Sequence, residues 1–268
     1  MRWPIRTVST DRGHRPRKRF GQHFLVDEAV VDAIVRAIDP RPGDVVVEIG
    51  PGQAVLTDAL LEVLAHLTAV EIDRDLVARL RARHPPQRLT LHEADALQFN
   101  FRALTTANEP GLRVVGNLPY NISSPLLVHL LGARDRIRDQ HFMLQREVVE
   151  RLAARPGTRA FGRLSVLMQA FHDIESLFDV EPQAFDPPPK VMSSVVRMRV
   201  RRAADAWDPA PLQAVLAVAF SQRRKMIRKT LLPWLQAQGR PLPDLDPTLR
   251  PEDIDVPQWL SIAGLGAV

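Results

Sequence analysis

The chain of 268 residues contains no cysteine. That excludes a disulfide framework, a thiolate zinc site, a cysteine nucleophile and a cysteine-ligated iron–sulfur cluster; no metal is expected. No apolar run approaches membrane-spanning length, and the first residues lack the apolar stretch of a secretory signal. The expectation is a cytoplasmic protein with no membrane partner. Net positive charge is unevenly placed. The net charge is +5, yet residues 1–19 alone carry seven basic side chains against Asp11, which leaves the remaining 249 residues at −1. The second basic cluster is Arg223, Arg224, Lys225, Arg228 and Lys229. Local cationic clusters on a near-neutral body suit a polyanion gripped at chosen points. The plain alternative is a solvated tail and a solvated helix face.

What is present is organised around Val45–Gly52, VVVEIGPG. A β-branched apolar run ends in a carboxylate, breaks into a turn with Gly50 and Gly52, and is followed by helical spacing at Val55, Leu56, Ala59, Leu60, Val63 and Leu64. This predicts a buried parallel strand feeding a helix, the first βα unit of a doubly wound α/β fold. Glycine at such a turn lets backbone approach a ligand, and the helix start presents free N–H groups. An ordinary βα turn would look the same in isolation.

Later strand ends point to one ligand. Leu67–Asp73 reads as the second strand and carries Glu71, 21 residues after Gly50. An acid there is placed to accept from ribose hydroxyls, with a helix cap as the alternative. Leu89–Asp95 reads as the third strand, with Asp95 and Ala96 at its carboxyl end, where an exocyclic adenine amine finds an acceptor. Arg113–Gly116 reads as the fourth strand and runs into Asn117-Leu118-Pro119-Tyr120. The Asn117 side-chain oxygen and the Leu118 carbonyl are acceptors for an –NH₂ group, Pro119 stiffens the turn, and Tyr120 offers a face for a base. The lone pair of an adenine amine is delocalised into its ring. Two acceptors pulling on its hydrogens favour a pyramidal, nucleophilic nitrogen, with no strong base required.

The rest frames these groups. Residues 1–16 lack periodicity and read as a disordered basic arm. RKRFGQHFL (17–25) reads either as a loop packing Phe20 and Phe24 or as a lid over a ligand. Asp27 is an N-cap for a helix through Ile38, and Ser123 or Ser124 for a helix through about Leu131. His141–Gln145, Asp173–Val180 and Met192–Val200 read as strands, with helices after the first and at 164–171. Phe185, before three prolines, either caps the core or stacks on a base opposite Tyr120. The expected organisation is the arm, a Rossmann-like domain over 17–202 and a helical subdomain over 203–268. Within that subdomain, helices are expected at 211–220, about 221–238 and 251–264, the second carrying the basic cluster on one face for phosphate contact.

These blocks, with FGRLS (161–165), FDPPPKVMSSVVR (185–197) and FSQRRKMIRKTL (220–231), resemble the KsgA (RsmA) family, bacterial small-subunit rRNA adenine dimethyltransferases, from Arg17 to about Leu260. The resemblance implies a class I methyltransferase fold with S-adenosyl-L-methionine as cofactor. It implies dimethylation at N6 of two adjacent adenosines in a hairpin near the 3′ end of 16S rRNA, within a small-subunit precursor, by a monomer. Cofactor contacts would come from His23, Leu25, Gly50, Gly52, Glu71, Asp95 and Asn117, with Ile72 and Ala96 lining the ribose and adenine slots. The target base would lie against Asn117, Leu118, Pro119 and Tyr120, with Phe185 opposite. RNA would be held by Arg17, Lys18, Arg19 and the 223–229 cluster. The family often has Asn where this chain has His23, and Ala54 stands where many methyltransferases have a third glycine, with no loss expected. Three alternatives share parts of this pattern: a large-subunit rRNA methyltransferase of the macrolide-resistance type, a ribosome assembly factor that has lost activity, and a DNA adenine methyltransferase.

Overall fold

The structure is a computed structural model that describes residues 22–106, 111–204 and 207–265. The basic arm, including Arg17, Lys18 and Arg19, lies outside the described residues. The described residues divide into two compact units, those up to 146 with 175–198, and those of 147–174 with the described residues from 199 on.

The first unit holds the glycine turn and the strand ends beside it. Its elements begin with a short strand β1 (Phe24–Leu25) and helix α1 (Glu28–Ile38), whose first amides are accepted by the Asp27 carboxylate. Then come β2 (Val46–Ile49), α2 (Val55–Leu61), β3 (Leu67–Glu71), α3 (Arg74–Arg83), β4 (Leu89–Glu93), β5 (Leu112–Asn117), α4 (Ser123–Leu130) and β6 (Ile137–Gln145). Every side chain of β2 is buried, as its uninterrupted apolar run requires for a strand covered on both faces. The strands pair in parallel as β4-β3-β2-β5-β6. The chain order therefore reverses at β2, which has β3 on one side and β5 on the other. Ligands of such sheets sit outside the strand carboxyl ends at that reversal. Here those ends are the glycine turn after β2 and Asn117-Leu118-Pro119-Tyr120 after β5.

Strands β7 (His172–Val180) and β9 (Ser193–Val200) complete the sheet in the order β6-β9-β7. Between them, β8 (Phe185–Asp186) pairs antiparallel with β1, Leu25 opposite Phe185. Leu25, Phe185, Val31, Ile34 and Val115 belong to one buried apolar cluster. At the start of β5, the buried Arg113 donates to Asp139 at 3.0 and 3.1 Å and to Asp44 at 2.7 Å, a charge clamp that apolar periodicity cannot reveal.

The second unit is helical: α5 (Arg146–Leu152), α6 (Arg163–Phe171), α7 (Pro209–Ala219), α8 (Leu231–Ala237) and α9 (Val256–Ala263). Its limits differ from the expected boundary at 202, because α6 packs on α7 and α9. The helix expected over about 221–238 is interrupted. Residues 220–222 and 227–229 form single 3-10 turns, and Met226 between them is extended. The amides of Ile227 and Arg228 donate to the carbonyls of Leu249 and Pro247 instead of to the preceding turn. Burial of Ile227 selects that arrangement over local helix propensity. The basic cluster therefore does not form one helical face.

Candidate active site

The glycine turn leaves β2 in a conformation that favours glycine, with φ of 68° at Gly50 and 56° at Gly52. A Cβ on Gly52 would stand 3.2 Å from the Phe24 ring. Ala54 also takes a left-handed φ, 70°, so the substitution does carry a cost: about 1–2 kcal/mol of local strain, offset in part by the burial of its methyl, roughly 0.8 kcal/mol.

Glu71 stands at the end of β3, buried. Its Oε1 accepts from the amides of Ile72 and Asp73, both at 2.9 Å, and its Oε2 from Gly52 N at 3.3 Å. Burial pushes this carboxyl above the ordinary glutamate value, against the pull of those three amides. The expected helix cap is a different residue, since Asp73 caps α3. Gln22 donates to the Asp73 carboxylate at 3.2 Å and so ties the entering segment to this corner.

The turn after β5 is fixed from three sides. Asn117 Nδ2 donates to the His23 carbonyl at 3.1 Å, which aims its Oδ1 the other way. Leu118 N donates to Met143 O, and Pro119 O accepts from Ser123 Oγ at 3.1 Å. Ser123 is thus a brace for the turn; the residue before α4 is Ile122, with no side-chain cap. The Tyr120 hydroxyl lies 2.8 Å from Ser193 Oγ, and the His23 ring stacks on Tyr120 with centroids 5.6 Å apart. His23 Nδ1 in turn lies 2.7 Å from Pro187 O, a contact that places a proton on Nδ1.

Together these residues border one cleft: Gln22, His23, Phe24, Gly50, Gly52, Glu71, Ile72, Leu76 and Asn117 through Tyr120. Ile72 is 46% exposed there, an apolar seat beside a buried carboxylate. A nucleoside-bearing cofactor fits that donor set: carboxylate for ribose hydroxyls, Ile72 and Leu76 for a purine, and glycine backbone where a Cβ would obstruct.

Not every expected residue reaches the cleft. Asp95 and Ala96 follow β4 just beyond Glu93, which pairs with Glu71, but neither borders it; the Asp95 carboxylate accepts from Leu97 N at 2.9 Å. Leu25 borders an adjoining cavity that shares Gly50, Gly52 and Asn117 with the cleft. Phe185 is 3% exposed and packed in the core opposite Leu25, so in this conformation it caps the core instead of facing a base. In the helical unit, Arg223 is taken up internally, donating to Glu252 at 2.5 Å and to the carbonyls of Arg159 and Phe161. Arg224, Lys225, Arg228 and Lys229 are exposed. Ser193, Gln22 and Gly116 escaped the sequence reading. Gly116 alone had a signal, a glycine inside a strand, which marks a close backbone approach.

A family model described as ribosomal RNA adenine dimethylase matches residues 13–263. The chain belongs to that family. It is an S-adenosylmethionine-dependent rRNA adenine dimethyltransferase. Its relatives include the ribosomal RNA small subunit methyltransferase A of Bordetella petrii, 58% identical over 252 residues that cover 93% of this chain and 94% of the relative. Among solved structures, a dimethyladenosine transferase from Plasmodium falciparum shares the fold with a TM-score of 0.74 at 22% identity, covering 92% of this chain and all of that one. The 23S rRNA methyltransferase ErmE does so with a TM-score of 0.63 at 25% identity, covering 90% and 98%. The family's fold and cofactor are therefore those of the sequence reading. No helix among the described residues is long and apolar enough to cross a membrane.

Proposed function

We propose that the cleft methylates N6 of two adjacent adenosines in a hairpin near the 3′ end of 16S rRNA, twice each, giving N6,N6-dimethyladenosine. The substrate is a small-subunit precursor in the cytoplasm, and the enzyme acts as a monomer. The observation that carries this reading is the orientation of Asn117. With Nδ2 committed to the His23 carbonyl, Oδ1 is left as an acceptor for an exocyclic amine.

S-adenosylmethionine, when bound, supplies an electrophilic methyl group on a sulfonium. Glu71, Ile72 and the Gly50–Gly52 backbone would hold it. The protein's own work is positioning. Asn117 Oδ1 and the Leu118 carbonyl draw on the two N6 hydrogens, localise the lone pair and aim it. Holding two reactants in line supplies most of the acceleration. Tyr120 stacks on the extruded base, which offsets part of the few kcal/mol of unstacking. The N6 proton displaced at each transfer leaves to solvent. Arg224, Lys225, Arg228 and Lys229 would grip rRNA phosphates. The identity to small-subunit relatives, against 25% to ErmE, favours the small subunit over the large.

The test uses labelled S-adenosylmethionine and small subunits from a strain lacking this methylation, with large subunits, naked rRNA and duplex DNA as controls. Dimethyladenosine confined to 16S rRNA and lost in Asn117→Ala supports the reading. Label in large subunits, or no label with retained small-subunit binding, overturns it.

A further inference from the structure

A second cavity, of about 40 Å³, shares Phe24, Gly50, Gly52 and Asn117 with the cleft. That is room for a water or two. Two ionisable side chains border it, Glu48 and His141, both buried. They occupy one row of the sheet: Glu48 on β2 pairs with Val115 on β5, which pairs with His141 on β6. Residues in one row share a face.

Their hydrogen bonds are incomplete. Glu48 Oε2 accepts from the Thr57 hydroxyl at 2.6 Å, closing the βα unit from the strand to the first turn of α2. His141 Nδ1 faces Asp139 Oδ1 at 3.5 Å, and Asp139 takes both bonds from Arg113 Nε. Both His141 ring nitrogens are buried, and neither makes a hydrogen bond. Burial raises the Glu48 carboxyl to about 8, with Asp58 and Glu71 pushing the same way and Thr57 opposing. At neutral pH the acid is protonated. With Oε2 accepting from Thr57, its proton sits on Oε1 as a donor. The protonated Glu48 carboxyl and the His141 ring face a cavity the size of a water or two. The charged or titratable groups around Glu48 are Asp58 from α2, Glu71 from β3 and His141 from β6; β1 and α1 contribute the apolar Phe24, Leu25 and Ile34.

We propose that Glu48 is a positioning residue: through Thr57, and through water shared with His141, it holds the start of α2 and thereby sets the Gly50–Gly52 turn in its cofactor-binding conformation. This rests on the cleft being the cofactor site. Ionisation of Glu48 replaces the donor with a second acceptor and puts a buried anion beside Glu71, so the turn loosens as pH rises.

The test is calorimetric binding of S-adenosylmethionine from pH 6 to 9, with melting of the ligand-free chain as a second readout. The cofactor's own amino group titrates in that range but contributes equally to every variant, so differences between curves are read. Glu48→Gln keeps both an acceptor for Thr57 and a donor to the cavity. It is expected to match wild type within about twofold at pH 7 and to bind about tenfold more tightly than wild type at pH 9. Thr57→Val is expected to weaken binding about fivefold at pH 7. Ligand-free Glu48→Gln should melt above wild type at pH 9, and ordered water between positions 48 and 141 should appear in a crystal structure. Parallel wild-type and Glu48→Gln curves, with binding abolished in Glu71→Ala, overturn the role of Glu48 alone. Normal binding in Glu71→Ala overturns the cofactor cleft and this proposal together.

Discussion

The amide nitrogen of Asn117 donates to the backbone carbonyl of His23 at 3.1 Å, across 94 residues of chain. That bond decides which end of the Asn117 side chain is left for the substrate. Asn117→Asp keeps the shape but sets a carboxylate against that carbonyl. It is expected to lose about 10²–10³-fold in kcat, measured by single-turnover methyl transfer, while Asn117→Ala loses at least as much. Equal rates in Asn117→Asp and wild type would remove the amide from the mechanism.

Ser193 should matter through Tyr120, the only tyrosine in the chain. Tyr120→Phe and Ser193→Ala each break the same bond while keeping the ring. Each is expected to slow transfer by about three- to tenfold, and the double variant should be no slower than either single one. Tyr120→Ala removes the stacking face as well and should cost about 1–3 kcal/mol in rRNA engagement. Additive losses in the double variant would show the two side chains acting separately.

Gly116 permits the close approach of β5 to β2. A Cβ there would stand 2.4 Å from the Ile49 carbonyl, whereas at Gly43 it would meet nothing within 4 Å. Gly116→Ala is expected to cost about 3 kcal/mol or more, in the range of overpacked cores. Gly43→Ala should stay within about 0.5 kcal/mol of wild type. Denaturant midpoints compare the two directly.

Stability should fall as pH rises between the ordinary glutamate value and about 8. Folded Glu48 keeps its proton across that window while the unfolded chain releases it, so the native state binds more protons and loses ground with each step upward. The slope is at most about 1.4 kcal/mol per pH unit. Glu48→Gln removes this contribution, and a pH series of urea melts should show a flatter profile. An unchanged slope would mean that Glu48 is ionised in the fold.

Arg223 and Lys225 should separate cleanly. Arg223→Ala breaks bonds to Glu252, Arg159 and Phe161 and is expected to destabilise the helical unit by about 1–2 kcal/mol, given partial exposure. Lys225→Ala should leave the melting temperature unchanged. It should instead lower rRNA affinity and reduce the salt dependence of binding by about one counterion.

The sequence by itself determined the βα units and their order. A β-branched run, a glycine break and helical spacing are local signals, and the acid that ends β3 and the Asn-Leu-Pro-Tyr turn that begins at the end of β5 follow at readable distances. Because strand carboxyl ends meet at the reversal of a parallel sheet, the gathering of Gly50, Glu71 and Asn117 was legible too. The tertiary structure decided what depends on partners far away in the chain. Phe185 faces the core because β8 pairs with β1. The 221–238 segment breaks because its amides find carbonyls at 247–249, and Arg223 serves the fold because Glu252 and the 159–161 carbonyls come to it. Side-chain identity sets what a residue is able to bond. Only the packed chain sets which bonds are left to make, since a buried polar group must be satisfied wherever the fold puts it.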